Sequence, residues 1–277
     1  MIELQDVSYV YPERTETALK NINLSIKPSE FVAVVGRNGS GKTTLARMLN
    51  GLFKPLSGTV LVDGLNTLNA QDNLLIKRKV GLVMSVPDNQ IVGNTVEEDI
   101  AFGPENLGLT SQEIKIRVDR ALHLVGMEAY RNFPPYALSG GQKQKVCIAS
   151  LLAMKPEYMI LDEPTVMVGP EEIRQLVEIV TDLHNAIGMG VIWITHNLEE
   201  VFLADRILVL QAGRLLQDVP TAELLPQFDL LLELGIQPLE ITEIINELNH
   251  RGDYAISPAI IDMETLAEYI CRLKLKI

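Results

Sequence analysis

The sequence predicts an α/β fold: a phosphate-loop core, a helical insertion within it, and a small helical domain at the end. Three observations predict this. Residues 36–44 read GRNGSGKTT and match G-x-x-x-x-G-K-[ST], with the apolar run FVAVV before them and the helix-favouring LARML after them. Two more apolar runs, YMIL at 158–161 and VIWIT at 191–195, read as strands buried on both faces. Between them and the glycine loop, residues of about 88–154 show capping signals and a 3.6-residue apolar period, which suggests helices inserted into the sheet.

The chain has 277 residues and is 47% hydrophobic, enough for a sizeable core in one large domain or in one domain with an appendage. Its net charge of −12 argues against a nucleic-acid binder, whose phosphate contacts need a basic surface. The two cysteines, Cys147 and Cys271, have neither metal-ligand nor redox-pair spacing, and fit a reduced compartment. The first residues alternate like a strand rather than a signal peptide. No apolar run approaches the roughly 18 residues of a membrane span.

Residues 2–9 alternate as a half-buried strand. Tyr11, before Pro12, is an aromatic that could stack on a nucleobase or simply pack in the core. Strands follow at 21–26 and 31–35. In the glycine loop, Gly36, Asn38, Gly39, Ser40 and Gly41 let the backbone curl its N–H groups round a phosphate, and the helix N-terminus adds positive potential. Lys42 brings a full charge to the outer phosphates, Thr43 offers a hydroxyl to Mg²⁺, and Thr44 continues the loop into the helix. The chain thus reads as machinery for a nucleoside triphosphate.

Further strands are expected at 58–63 and 80–84, then a breaker-rich loop at 85–94. Thr95 with Glu98 forms a capping box for an acidic helix to about Phe102, ended by Gly103-Pro104. A helix from Ser111 carries Ile114, Val118, Ala121, Leu122 and Val125 on one face. LSGGQ at 138–142 opens another, to about Met154. Ser139 can cap it, and Gly140, Gly141 and Gln142 leave a helix end suited to an anion; an ordinary serine cap is the plainer alternative.

The strand at 158–161 ends in Asp162 and Glu163, at the sheet edge where open α/β folds bind ligands. Asp162 can hold Mg²⁺, and Glu163 can polarise a water for attack on a γ-phosphate. A helix is expected at 171–185. His196, ending the strand at 191–195, is either structural or a γ-phosphate sensor. Residues 198–204 read as helical, and 206–210 with 214–217 as a hairpin around Ala212-Gly213. Pro220 marks a boundary, beyond which short amphipathic helices carry no reactive group and suit packing or self-association.

Together these motifs resemble the ATP-binding-cassette (ABC) ATPases over residues 1–217. PDNQ at 87–90, TVEEDIAFGPENLGL at 95–109, LSGGQKQ and the helical tail at 218–277 look more closely like the ATPases of energy-coupling-factor (ECF) importers of vitamins and metals. Ile91-Val92-Gly93 after PDNQ looks like the first of two paralogous ATPases. The resemblance implies ATP and Mg²⁺ as ligands, and a heterodimer with a second, paralogous ECF ATPase through residues 218–277. It implies a transmembrane coupling subunit, a substrate-binding membrane subunit, and a peripheral place on the cytoplasmic side of the cell membrane. Tyr11 would stack on adenine. Ser139 and Gly141 would reach the γ-phosphate of the partner's nucleotide. Glu97, Glu98 or Asp99 would meet basic residues of the coupling subunit, or serve only as a solvated acidic face.

Two positions depart from the resemblance. Ser85 stands where these ATPases usually carry a glutamine that touches Mg²⁺ and the attacking water, so Ser85 would reach them only through water. Gly169 stands where they usually carry Asp. The expected function is ATP hydrolysis powering micronutrient import. The alternative is an ATP-binding regulatory subunit with a degenerate site.

Overall fold

The computed structural model describes residues 1–13, 15–251, 256–257, 260 and 263–274. Three strands open the chain: β1 (Ile2–Val10), β2 (Thr17–Ile26) and β3 (Phe31–Val35). The phosphate-loop helix α1 (Lys42–Leu49) follows, then β4 (Ser57–Val62), β5 (Leu65–Asn66), α2 (Ala70–Lys79) and β6 (Val80–Val83). Next come three helices, α3 (Val96–Asn106), α4 (Ser111–Val125) and α5 (Gly140–Ala153), which realise the expected insertion. The core resumes with β7 (Tyr158–Asp162), α6 (Pro170–Ile187), β8 (Gly190–Thr195), β9 (Arg206–Gln211) and β10 (Arg214–Pro220). Helices α7 (Thr221–Leu224), α8 (Phe228–Glu233), α9 (Glu240–His250) and α10 (Met263–Lys274) end it.

The strands form two sheets. One is antiparallel, ordered β2-β1-β4-β5; the other is ordered β10-β9-β3-β8-β7-β6 and is parallel apart from its β10 edge. Parallel strands need both faces covered, which is why FVAVV and VIWIT are buried at every residue. The period of two sends their side chains to different cores. Val32, Val34, Ile192 and Ile194 join residues of β1, β2, β4 and α1 between the sheets. Phe31, Ala33, Val35, Val191 and Trp193 join α3–α6 on the other face, in a cluster that also takes in Leu224, Leu231, Ile241 and Ile245 of the last helices. All parallel strands therefore end at one edge, and the loops at 36–41, 84–95, 163–169 and 196–205 gather there.

Several expected boundaries move. Helix α3 does not stop at Phe102 but runs through Pro104 to Asn106; the missing proline donor costs one bond, and the Leu107 N–H closes the turn on the Gly103 carbonyl at 3.1 Å. Residues 198–204 do not form a helix. They make one 3-10 turn at Leu198–Glu200, where the Asn197 side chain accepts the Glu199 N–H at 3.0 Å. Helix α2 and the short β5 were not anticipated.

Candidate active site

The phosphate loop is shaped by approaches that exclude larger residues. Gly36 has φ +150°, and a Cβ there would lie 2.1 Å from the Leu210 carbonyl oxygen. The loop is clamped from the β9–β10 hairpin: the Gly213 N–H donates to the Ser40 carbonyl at 2.9 Å, and the Lys20 N–H to the Gly213 carbonyl at 2.7 Å. Gly213 is the unanticipated part of the site. Its only sequence signal was the hairpin turn Ala212-Gly213, which gives no hint of what the tip touches.

Within the loop, Lys42 is 4% exposed and turned inward. Its Nζ donates to the carbonyls of Gly36 at 2.7 Å and Arg37 at 3.3 Å, and pairs with Glu163 Oε1 at 3.3 Å. The Ser40 hydroxyl is buried and has no hydrogen-bond partner among the described residues. A buried hydroxyl donor in a glycine-rich loop at a helix N-terminus fits an anion.

Asp162 and Glu163 extend from β7 as expected. Asp162 Oδ1 accepts from the Thr43 hydroxyl at 3.1 Å. Burial pushes its carboxyl up, against the Thr43 hydrogen bond, which lowers it. Glu163 has a left-handed backbone, φ +49°, held by its N–H donating to the Ile194 carbonyl at 2.9 Å. Such a conformation in a non-glycine residue is costly and clusters at functional sites. Its other oxygen, Oε2, lies 3.7 Å from His196 Nδ1. One carboxylate thus sits between the phosphate-loop lysine and the histidine.

Lys42, Thr43 and Glu163 line a cleft of about 1200 Å³ that also takes in Tyr11, Asn38, Gly39, Gly41, Thr44 and Ser85; Asp162 and His196 adjoin it through their contacts with Thr43 and Glu163. Tyr11 lies at its edge. Its hydroxyl is 2.9 Å from Thr44 Oγ1, and its ring packs edge-on against Tyr9 and Phe53. The packing role and the cleft-lining role fall on one residue. Ser85 faces the same space as Thr43 and Glu163. Its loop is pinned from behind: Gln90 accepts the Met84 N–H at 3.0 Å and donates to the Leu82 carbonyl at 3.2 Å, while Gln144 donates to the Met84 carbonyl at 3.4 Å.

Thr43 and Asp162 offer a hydroxyl and a carboxylate at hydrogen-bond distance, a hard oxygen set that fits Mg²⁺. Among the described residues there is no group of three or more His, Cys, Asp or Glu side chains that could hold a metal ion. A cation here would complete its shell with phosphate oxygens and water, as Mg²⁺ in nucleotide sites does.

Ser139 to Gln142 stand apart from this cleft, at the start of α5. Ser139 accepts the Gln142 N–H at 3.2 Å, and Gln142 Oε1 accepts the Ser139 N–H at 2.9 Å, a capping box. The chain alone therefore brings together Lys42, Thr43, Asp162, Glu163 and His196, and leaves Ser139 to Gln142 outside the cleft's lining.

The three acids in the first turn of α3 are committed within the chain. Thr95 caps the helix as expected, accepting the Glu98 N–H at 3.2 Å. Asp99 is buried; it accepts the N–H groups of Val92 at 2.8 Å and Gly93 at 3.1 Å and the Ser150 hydroxyl at 2.7 Å. The expectation that Asp99 meets a partner's basic residues is thus corrected: a buried carboxylate with three donors holds the loop before α3 onto α5. Glu97 pairs with Arg131 at 2.6 Å, and Glu98 accepts the Asn94 N–H at 3.0 Å.

The ABC transporter family matches residues 19–166. An energy-coupling factor transporter ATP-binding protein, EcfA of Syntrophomonas wolfei, is 51% identical over 271 residues, 98% of this chain and 99% of that protein. The structure of CbiO1 from Clostridium perfringens, part of the ABC transporter complex CbiONQ, superposes with a TM-score of 0.76 at 32% identity, covering 88% of this chain and 98% of that one. The ATP-binding cassette MJ0796, a dimer in a post-hydrolysis state bound to ADP and Pi, superposes with a TM-score of 0.72 at 30% identity, covering 80% and 99%. The matched family model and these relatives show that the chain belongs to the ABC transporter family, among the ATP-binding subunits of energy-coupling-factor transporters, and is an ABC-type ATPase.

Proposed function

We propose that this ATPase hydrolyses MgATP in its own cleft and so powers an ECF-type importer of a vitamin or other micronutrient. The observation that carries the reading is Glu163, placed between Lys42 Nζ at 3.3 Å and His196 Nδ1 at 3.7 Å. Lys42 exchanges its loop carbonyls for the β- and γ-phosphates. The loop N–H groups and Ser40 hold the same oxygens, and Tyr11 supports the base. Glu163 takes a proton from the attacking water as oxygen bonds to the γ-phosphorus and the bond to the β–γ bridging oxygen breaks, giving ADP and phosphate. His196 donates to the γ-phosphate. Thr43 and Asp162, with Ser85 through water, would hold Mg²⁺, which neutralises charge on the phosphates.

In this reading the nucleotide is closed over by Ser139, Gly140, Gly141 and Gln142 of a second ATPase, a paralogue, and this chain's LSGGQ serves the partner's nucleotide. Residues 1–217 form the ATP-binding domain and 218–277 the dimerisation domain. No helix among the described residues is long and apolar enough to cross a membrane. The chain would lie on the cytoplasmic face of the cell membrane against a transmembrane coupling subunit, which works with a substrate-binding membrane subunit. In the assembled complex, Glu163→Gln in this subunit should cut turnover at least about 100-fold, the scale of a lost general base. Unchanged turnover would favour the second reading, a subunit that binds ATP and regulates, which Ser85 and Gly169 support.

A further inference from the structure

The helix end that should receive the partner's phosphate already holds an anion. The Ser139 hydroxyl donates to Glu172 Oε1 at 3.0 Å. The same carboxylate lies over Gly141, where a Cβ would come within 2.7 Å of Glu172 Cδ and Oε2. Helix α5 has 14 residues and no acid of its own in its first turn, so Glu172 reaches across from α6 to supply the negative charge. The free N–H groups and dipole of a helix N-terminus stabilise an anion placed there.

Glu172 also sits in the first turn of its own helix, and Oε2 accepts the Gly169 N–H at 3.5 Å. That contact is longer than the one to Ser139, so the carboxylate is held first by the signature stretch. Gly169 belongs to the same arrangement. A Cβ at Gly169 would lie 3.7 Å from Glu172 Oε2. An aspartate there would bring a second carboxylate against the first, whereas glycine offers its N–H and no charge.

We propose that Glu172 is an internal stand-in for the γ-phosphate: it occupies Ser139 and Gly141 in the open state and must be displaced before this chain's signature stretch can close on a partner's nucleotide. The proposal rests on the reading that Ser139 meets that nucleotide across the dimer. Displacement sets a threshold. Closure requires a phosphate that outcompetes a tethered carboxylate, so ADP alone, lacking the γ-phosphate, leaves Glu172 in place.

The test is ATP-driven association of the full chain with the ATPase subunit that co-purifies with it, or with itself if none does. It is followed by sedimentation in a Glu163→Gln background that blocks turnover. Adding Glu172→Gln, and separately Glu172→Ala, should lower the ATP concentration for half-maximal association by roughly two- to fivefold, the worth of one charge at a helix end. Binding of a fluorescent ATP analogue to the chain's own phosphate loop should not change. Unshifted association in both variants overturns the proposal, whether or not they melt lower; a lower melting temperature would make Glu172 a brace of α6. Ser139→Ala separates the two ideas. Its loss of association supports closure across the dimer, and association equal to that of its Glu163→Gln parent would defeat that closure itself.

Discussion

Lys42 Nζ and Glu163 Oε1 lie 3.3 Å apart, so the phosphate-loop lysine and the acid at the end of β7 satisfy one another. Lys42 is buried and Glu163 partly buried, which makes the pair more than a surface contact. In the proposed mechanism ATP takes the lysine from the acid and so leaves Glu163 free to accept a proton, which would make binding and activation of the base one event.

Lys42→Ala removes a charge-assisted contact to phosphate and should weaken binding of a fluorescent ATP analogue by roughly 10- to 100-fold. Glu163→Gln should bind it at least as tightly as the parent, because the lysine no longer has a charged competitor. Titration of the isolated chain checks both. Weaker binding in Glu163→Gln would mean the pair organises the loop instead of competing with ATP.

Asp162 gives a pH-dependent prediction. Burial raises its carboxyl above the ordinary range, so in the folded chain it keeps its proton to a higher pH than when unfolded. Between those two values the folded state holds more protons, and stability falls as pH rises. Above that window the ionised, desolvated carboxylate is a standing cost. Asp162→Asn should therefore raise the melting temperature of the nucleotide-free chain at pH 7, with the gain shrinking as the pH drops through the raised folded value and gone once it is below the ordinary carboxylate range. Mg²⁺-dependent ATP binding should fall in the same variant.

Much of this site was legible because its signals are local. FVAVV became β3 residue for residue, and Ser139 and Thr95 cap their helices, since strand burial and capping are written in adjacent residues. Helix α2 was missed because it buries one residue, Ile76, while Leu74 and Leu75 stay exposed; it has almost no apolar face to read. The roles of Asp99 and Glu172 were hidden for another reason. Asp99 meets Ser150, and Glu172 meets Ser139, across 51 and 33 residues of chain, and no periodicity encodes which distant donor a carboxylate will find.

Asp99 should accordingly matter to the fold before it matters to any partner. Asp99→Ala leaves the N–H groups of Val92 and Gly93 and the Ser150 hydroxyl without their acceptor, and Asp99 itself is 5% exposed. Losing buried charge-assisted hydrogen bonds should cost about 2–4 kcal/mol, read as a lower urea midpoint. Glu97→Ala, whose salt bridge is partly exposed, should cost less than ~1 kcal/mol. Equal effects would show that Asp99 is no more structural than its neighbour.

Ser85 sets the last expectation. Its loop is fixed from behind by Gln90 and Gln144 on the Met84 backbone, and Ser85 lines the same cleft as Thr43 and Glu163, so a longer side chain at 85 has that cleft to extend into. On the proposed reading, in which Ser85 acts through a water, Ser85→Gln would place an amide there and add a hydrogen bond that strengthens as the attacking water is positioned. Turnover of the assembled complex at saturating ATP should rise by up to about tenfold, the worth of one hydrogen bond. Because the gain would fall on the transition state, kcat should move more than KM. A fall in kcat would mean that the cleft is sized for serine and that water at this position is part of the working site.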